Sequence, residues 1–158
     1  MPTTTYEAIR DAQIVAIEAA IPSSHVAMRF KVHPLDQEFD AWTEEHPDAC
    51  FRRFDIANNF DYQIEGTTDG ATDRYNHTVT VSVAYPLELA RYGVANHRSL
   101  DGVIDVDFSR IDGAIGRRAA VNYPAGMNLG LYLSMTPVRL PSAWIIRLIY
   151  QIEYDRSV

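Results

Sequence analysis

The chain has 158 residues, of which 47% are hydrophobic and 22% charged, the profile of one soluble globular domain. Its formal net charge of −7 argues against direct, sequence-specific nucleic-acid binding, because phosphate contacts require a surplus of Lys and Arg. The single cysteine, Cys50, excludes an internal disulfide, and no apolar run approaches the ~18 residues of a membrane span. The N-terminus lacks a signal-peptide pattern, so we expect the chain to fold in a cytoplasm.

The first half of the chain predicts one helix followed by strands. A capping box at Thr4–Glu7 opens a helix over about 4–21, which Pro22 ends. The acidic stretch 34–48 predicts a short helix or an ordered loop. Period-two alternation of apolar residues then predicts strands at about 26–32, 51–56, 60–65 and 77–85.

Two connections in this half carry turn signals. Asn58 and Asn59 separate two short apolar runs, which indicates a hairpin between the strands 51–56 and 60–65. Residues 66–76 are polar, contain two glycines and show no apolar periodicity, so we expect a mobile loop there.

The second half begins with a helix over about 97–115. An apolar stripe at steps of three and four residues supports it, from Leu100 to Ile115, and Gly116 ends it. Strands are predicted at about 119–123, 128–138 and 143–155. The last of these is the clearest, because alternate residues from Trp144 to Tyr154 are all apolar or aromatic. The expected fold is a single α+β domain, with a mostly antiparallel or mixed sheet packed against two main helices.

No motif in the sequence specifies a reaction. His46 and Cys50 lack the second ligand pair that a structural zinc site needs. Asp101 and Asp105 share a helix face, but a solvated surface is the ordinary interpretation. Asp55 and Asp61 suit cross-strand ion pairs with Arg52 or Arg53, and no nucleophile elbow or phosphate-binding loop is present. We therefore predict no catalytic residue, no cofactor and no metal, and we expect that the protein is not an enzyme.

The order of the segments resembles the tail terminator proteins of tailed bacteriophages. The likeness lies in the N-terminal helix TYEAIRDAQIVAIEAAI, the strand FRRFDI, the strand TVTVSVAYP with the helix HRSLDGVIDVDFSRIDGAI after it, and the closing strand WIIRLIYQIEYDRS. The resemblance implies a subunit of a homo-oligomeric, hexameric ring that caps the tail tube, stops its polymerisation and joins it to the head connector. It also implies the tail-tube protein and the connector or neck proteins as partners, and a location in the virion after assembly in the host cytoplasm.

This family offers no sharply defined functional residues to transfer, so the interface candidates come from charge and position. Two basic pairs in an acidic chain, Arg52–Arg53 and Arg117–Arg118, suit an acidic patch on a neighbouring subunit. The polar loop contributes a second set that orders on docking, namely Asp69, Asp73 and Arg74.

Other functions stay open at this point. The chain also suits another phage neck or head-completion protein, or a bacterial domain with an unrelated interaction role. A different class is a small-molecule-binding domain or enzyme with an aromatic-lined cavity, for which the candidates are Tyr62, Tyr85, Tyr123, Tyr132, Trp144 and Tyr150. A filled core with exposed apolar residues favours the ring, and a pocket lined by those aromatic residues favours the ligand.

Overall fold

In a computed structural model, the described residues are 2–23, 28–34, 36–87 and 97–158, with backbone alone at 97–99. The described part has three α-helices, one 3-10 helix and six strands. The helices are α1 (Tyr6–Ala19), α2 (Phe39–Glu45), α3 (His97–Ile115) and the 3-10 helix Arg117–Asn122. The strands are β1 (Lys31–Val32), β2 (Arg53–Asn58), β3 (Gln63–Gly66), β4 (Thr72–Pro86), β5 (Met127–Arg139) and β6 (Ala143–Ser157).

The six strands form one mixed sheet in the order β1-β2-β4-β6-β5, which confirms the predicted α+β class. Among the described strands, only β1 and β2 run parallel, and the other pairs are antiparallel. The centre is a ribbon of β4 and β6, each 15 residues long and paired throughout, from Thr72–Ser157 to Pro86–Ala143. At ~3.3 Å per residue this ribbon is about 50 Å long.

The alternation of the long strands places the core on one face of the sheet. Val81 and Tyr150, with their neighbours at every second position, pack against Ile9 of α1 and Ile111 of α3. Burying each large apolar side chain contributes roughly 1.5–3 kcal/mol. A second, smaller cluster lies beneath α2 on the other face and contains Phe39, Cys50, Ala84, Ala143 and Ile145.

The predicted hairpin at Asn58–Asn59 is wrong. β2 and β3 run in the same direction and both pair with β4, one after the other along the same edge. Side chains bridge the gap between them, because the Asp61 carboxylate accepts hydrogen bonds from the Thr78 backbone N–H and hydroxyl, each at 2.7 Å. The chain therefore continues along one edge of β4, whereas a hairpin would have reversed its direction.

The predicted loop 66–76 is also corrected, since most of it belongs to strands. β4 starts at Thr72, and the reversal is confined to the residues before it. Asp69 closes this turn by accepting from the Thr67 hydroxyl at 2.6 Å, the Ala71 N–H at 3.0 Å and the Thr72 hydroxyl at 3.0 Å. These hydrogen bonds hold the pKa of Asp69 below its usual range, so the carboxylate stays charged.

Two further predicted strands differ from the structure. Residues 119–122 belong to a 3-10 helix instead and Tyr123 caps it, with Val121 92% exposed. Of the predicted strand 26–32, residues 26–27 lie outside the described part, and the structure assigns Lys31–Val32 to β1.

Candidate assembly surfaces

Arg52 is not on the surface. Its side chain has no exposed area, and its guanidinium donates to both Asp107 carboxylate oxygens, from Nε at 2.7 Å and Nη2 at 3.1 Å. The same carboxylate accepts from the Tyr85 hydroxyl at 3.0 Å and the Ser23 N–H at 2.8 Å. The prediction that Arg52 contacts a neighbouring subunit is thereby corrected, because its charge already has a buried partner on α3.

The other basic residue of that pair and the residues of the β3–β4 hairpin occupy partly accessible positions. Arg53 is half-buried and stacks on the Trp42 ring, with its guanidinium carbon 4.4 Å from the ring centre. Arg74 donates from Nε to Asp155 at 3.0 Å, which lowers the pKa of that carboxyl. Its charge is therefore matched within the subunit. Asp73 is half-buried on the same hairpin as the exposed Asp69.

An apolar surface remains exposed at the β3 end of the sheet. We call it the aromatic edge, and its members are Phe60, Tyr62 and Ile64, which are 74%, 37% and 52% exposed. It lies on the helix-covered face, since Ile64 is opposite Tyr75 and Tyr62 stacks edge-on against His77 with ring centres 4.4 Å apart. All residues from 59 to 66 are exposed. Clustered apolar exposure beside an edge strand is characteristic of an interaction site.

The backbone at the aromatic edge is strained. Phe60 has a φ of 57°, a left-handed conformation that bulky residues rarely adopt. Local hydrogen bonds impose it, because Asn58 Oδ1 accepts from the Phe60 N–H at 2.9 Å and Asn59 N–H donates to the Thr78 carbonyl at 3.2 Å. The Phe60 ring meets the Tyr62 ring edge-on, with ring centres 6.2 Å apart, and most of its surface stays in solvent.

Rings beneath this surface support it. The Tyr62 ring contacts Tyr75 and His77, and His77 Nε2 lies 3.1 Å from the Tyr154 hydroxyl. Burial lowers the pKa of His77 and raises that of Tyr154 above its ordinary value, so both are neutral near pH 7. Burial likewise raises the pKa of Tyr6, which packs on His77, to about 12. These neutral, close-packed rings fix the orientation of Tyr62.

A second exposed surface lies at the opposite edge of the sheet. We call it the basic edge, and its members are Arg117, Arg118 and Val121, all exposed on the 3-10 helix. This helix is fastened to β5 by Tyr123, whose hydroxyl accepts from the Gly130 N–H at 2.9 Å and lies 2.6 Å from the Gly116 carbonyl oxygen. The predicted residues Arg117 and Arg118 are therefore accessible to a partner.

Strand β5 itself has features of both a protected and an open edge. It pairs with β6 on one side, and no other described strand pairs with it. Pro137 and two register shifts interrupt it, which are common protections of an edge strand. It nevertheless has no charged side chain from Met127 to Val138, although charges are the most frequent protection.

The sheet also borders two concave regions. A groove of about 490 Å³ lies between α3 and the β5–β6 end and is lined by residues that include Leu100, Ile104 and Trp144. A polar cleft of about 520 Å³ lies on the other face, where Asp40 and Arg147 form an ion pair. Of the six aromatic residues predicted to enclose a cavity, the groove is lined by Trp144, while Tyr85 and Tyr150 are buried in the core.

Potential metal ligands have other roles in the described residues. His46 stacks on Trp42 with ring centres 4.7 Å apart, and Cys50 is buried, with its thiol 3.4 Å from the Pro47 carbonyl oxygen. Across residues 2–23, 28–34, 36–87 and 97–158, no group of three or more His, Cys, Asp or Glu side chains is placed to hold a metal ion.

Comparison with known proteins adds no assignment. No protein-family model matches the chain, and no curated protein matches it significantly. Within the described part of the chain, no helix is both long and apolar enough to cross a membrane.

Proposed function

We propose that this protein is a structural subunit of a phage tail, which assembles into a ring that caps the tail tube and joins it to the head connector. The observation that carries the proposal is the aromatic edge, where Phe60, Tyr62 and Ile64 are exposed beside a strand that no described strand pairs on its outer side. Such a surface is costly for a permanent monomer, because it leaves apolar area in water and invites aggregation.

Three features of the subunit favour a role of the aromatic edge in assembly. Phe60 keeps a left-handed backbone conformation while its side chain is 74% exposed. The rings of Tyr62, Tyr75 and His77 hold the surface in a fixed shape, so little conformational freedom is lost on docking. The basic edge lies on the opposite side of the same sheet, and two different surfaces on one subunit are what a closed ring requires.

The position in a phage tail rests on the resemblance of the segments to tail terminators. An α+β subunit with a long closing strand and sheet edges available for contact agrees with a ring of this kind. The hexameric state, the tail-tube protein and the neck proteins as partners, and the location in the virion are parts of the same proposal. Another neck or head-completion protein would use the same surfaces. Binding to the end of the tail tube distinguishes a tail terminator from such a protein.

A ligand-binding role is the second candidate, and the groove beside α3 is the observation that favours it. Its volume is in the range of small-molecule sites, and Leu100, Ile104 and Trp144 give it an apolar lining. Asp101 and Asp105 lie along one side of this groove and Arg139 also lines it, so the ligand class would be an apolar molecule with a polar or charged group.

The test is binding to tail tubes. Purified protein is mixed with tail tubes and imaged by electron microscopy, and the fraction of tubes with a ring at one end is counted. We expect rings at tube ends with the unmodified chain and at least a tenfold lower fraction with the double variant Phe60→Ser, Ile64→Ser. Tubes without rings at every concentration of the unmodified chain would contradict the proposal.

The matched control is the double variant Val15→Ser, Ile21→Ser. These two residues are also apolar and exposed, at 67% and 66%, but they lie on α1 or just after it, away from the aromatic edge. The control should cap tubes like the unmodified chain. An equal loss in both double variants would show that general surface apolarity, and not the aromatic edge, drives the binding.

A further inference from the structure

We propose that the aromatic edge of one copy docks on the basic edge of the next copy, so that neighbouring subunits meet side by side through opposite edges of their sheets. This inference rests on the proposed ring-forming function and names the contact that builds the ring. The partner that binds the aromatic edge is a second copy of this chain. Strand register, charge and apolar exposure each support this choice.

The first argument is that the two edges lie at the same level along the strands. Gln63 pairs with Asn76, Asn76 with Glu153, and Glu153 with Leu129, so that one row of residues crosses the sheet from β3 to β5. Gln63 is in the middle of the aromatic edge, and Leu129 adjoins Gly130, where Tyr123 fastens the 3-10 helix. Copies joined through these edges therefore continue side by side without sliding along the strands.

The second argument is charge. From residue 54 to residue 73 the chain has five carboxylates and no Lys or Arg, and Glu65 and Asp69 are exposed within this stretch. From residue 113 to residue 152 it has four Arg and no Asp or Glu, and Arg117 and Arg118 are exposed. The segment that contains the aromatic edge thus carries acidic charges, of which Glu65 faces Arg74 across the β3–β4 pair, and the segment that contains the basic edge carries only basic charges. Opposite charges favour this contact, and like charges disfavour aromatic edge against aromatic edge.

The third argument is that each surface offers apolar area. Phe60 and Ile64 are exposed at one edge; Val121 of the basic edge and Leu133 of β5 are exposed at the other, at 92% and 47%. Among the described strands β3 is paired on one side, whereas the Tyr123 hydroxyl occupies the outer N–H and carbonyl of Gly130 on β5, so the contact at the basic edge is made by side chains. Two different edges that recognise each other produce a heterologous contact, which closes into a ring when the rotation between copies permits.

The test combines two variants that each lack one edge. One is Phe60→Ser, Ile64→Ser, which keeps the basic edge, and the other is Arg117→Glu, Arg118→Glu, which keeps the aromatic edge. Masses are measured by light scattering, alone and in an equimolar mixture, at up to ten times the concentration at which the unmodified chain assembles. We expect each variant alone at the 17.8 kDa subunit mass and the mixture at twice that mass, because one intact pair of edges remains.

Other outcomes overturn the inference in distinguishable ways. Self-association of either variant alone would show that like edges meet, and a monomeric mixture would mean that the edges bind a different protein; in both cases the unmodified chain still assembles and the proposed function stands. A monomeric unmodified chain, with and without tail tubes, would overturn the proposed function and this inference together. The control variant Arg110→Glu, at an exposed position on α3, should assemble normally.

Discussion

Replacing Asp107 by Asn should strongly destabilise the fold. The carboxylate is fully buried and accepts four hydrogen bonds, two of them from the buried Arg52 guanidinium. Asn preserves the size but removes the negative charge and turns one acceptor into a donor, so the buried Arg52 guanidinium loses its carboxylate partner on α3. Breaking a buried ion pair in this way costs about 3–5 kcal/mol. That is a large part of the ~5–15 kcal/mol by which domains are usually stable, and it lowers the folding equilibrium constant by roughly two to four orders of magnitude.

The assay is urea unfolding followed by the fluorescence of Trp42 and Trp144, with the free energy of unfolding taken from linear extrapolation. The control is the same substitution in an exposed ion pair, Asp11→Asn, where Arg10 and Asp11 are 3.7 Å apart and their side chains are 24% and 63% exposed. We expect a loss of at most about 1 kcal/mol there. Equal, small losses in both variants would refute the reasoning, because burial would then add nothing to the pair at Asp107.

Two more predictions concern the aromatic edge and its support. The pKa of His77 is lowered by burial, so its contribution to stability is complete above the unfolded-state pKa of about 6.5 and is lost as the pH falls through the folded-state pKa. The urea midpoint should therefore decrease when the pH is lowered from 7.5 to 5.5, and the decrease should be smaller in His77→Gln. The control variant His46→Gln should behave like the unmodified chain. An equal decrease in His77→Gln would exclude His77 as the cause. Replacing Phe60 by Gly relieves a left-handed conformation that costs about 1–2 kcal/mol, offset by roughly 0.5–1 kcal/mol of glycine entropy. The free energy of unfolding should stay constant or rise by up to about 1.5 kcal/mol while light scattering shows weaker assembly, and a clear loss of stability would assign Phe60 a role in the fold instead.

The spacing of apolar residues correctly predicted single strands and helices whose own sequence determines their structure. The closing strand, predicted over 143–155, spans Ala143–Ser157, and the predicted helix 97–115 coincides with α3. In both cases the apolar repeat matches the geometry of the element, and a large buried face follows directly from it. The hairpin predicted around Asn58–Asn59 is wrong because the Asp61 carboxylate accepts hydrogen bonds from Thr78, which keep the chain on one edge of β4, and no local pattern encodes that contact.

The surfaces were only partly predictable. Arg117 and Arg118 are exposed as expected, whereas Arg52 is buried by a partner 55 residues further along the chain. A signal for that partner exists in the sequence. Asp107 is three residues after Ile104 and four before Ile111, so it falls within the apolar stripe of α3, and a carboxylate in such a stripe requires a buried donor. The aromatic edge could not be predicted, because it depends on β3 pairing along the same edge of β4 as β2, a long-range arrangement that no local pattern encodes.

The most direct test of the central claim is the solution mass of the unmodified chain, measured by light scattering over a range of concentrations, with and without tail tubes. A ring subunit predicts a discrete species near six times the 17.8 kDa subunit mass, formed either freely or on tube ends. A strict monomer at every concentration, indifferent to tail tubes, would contradict the claim and leave the groove beside α3 as the better-supported site.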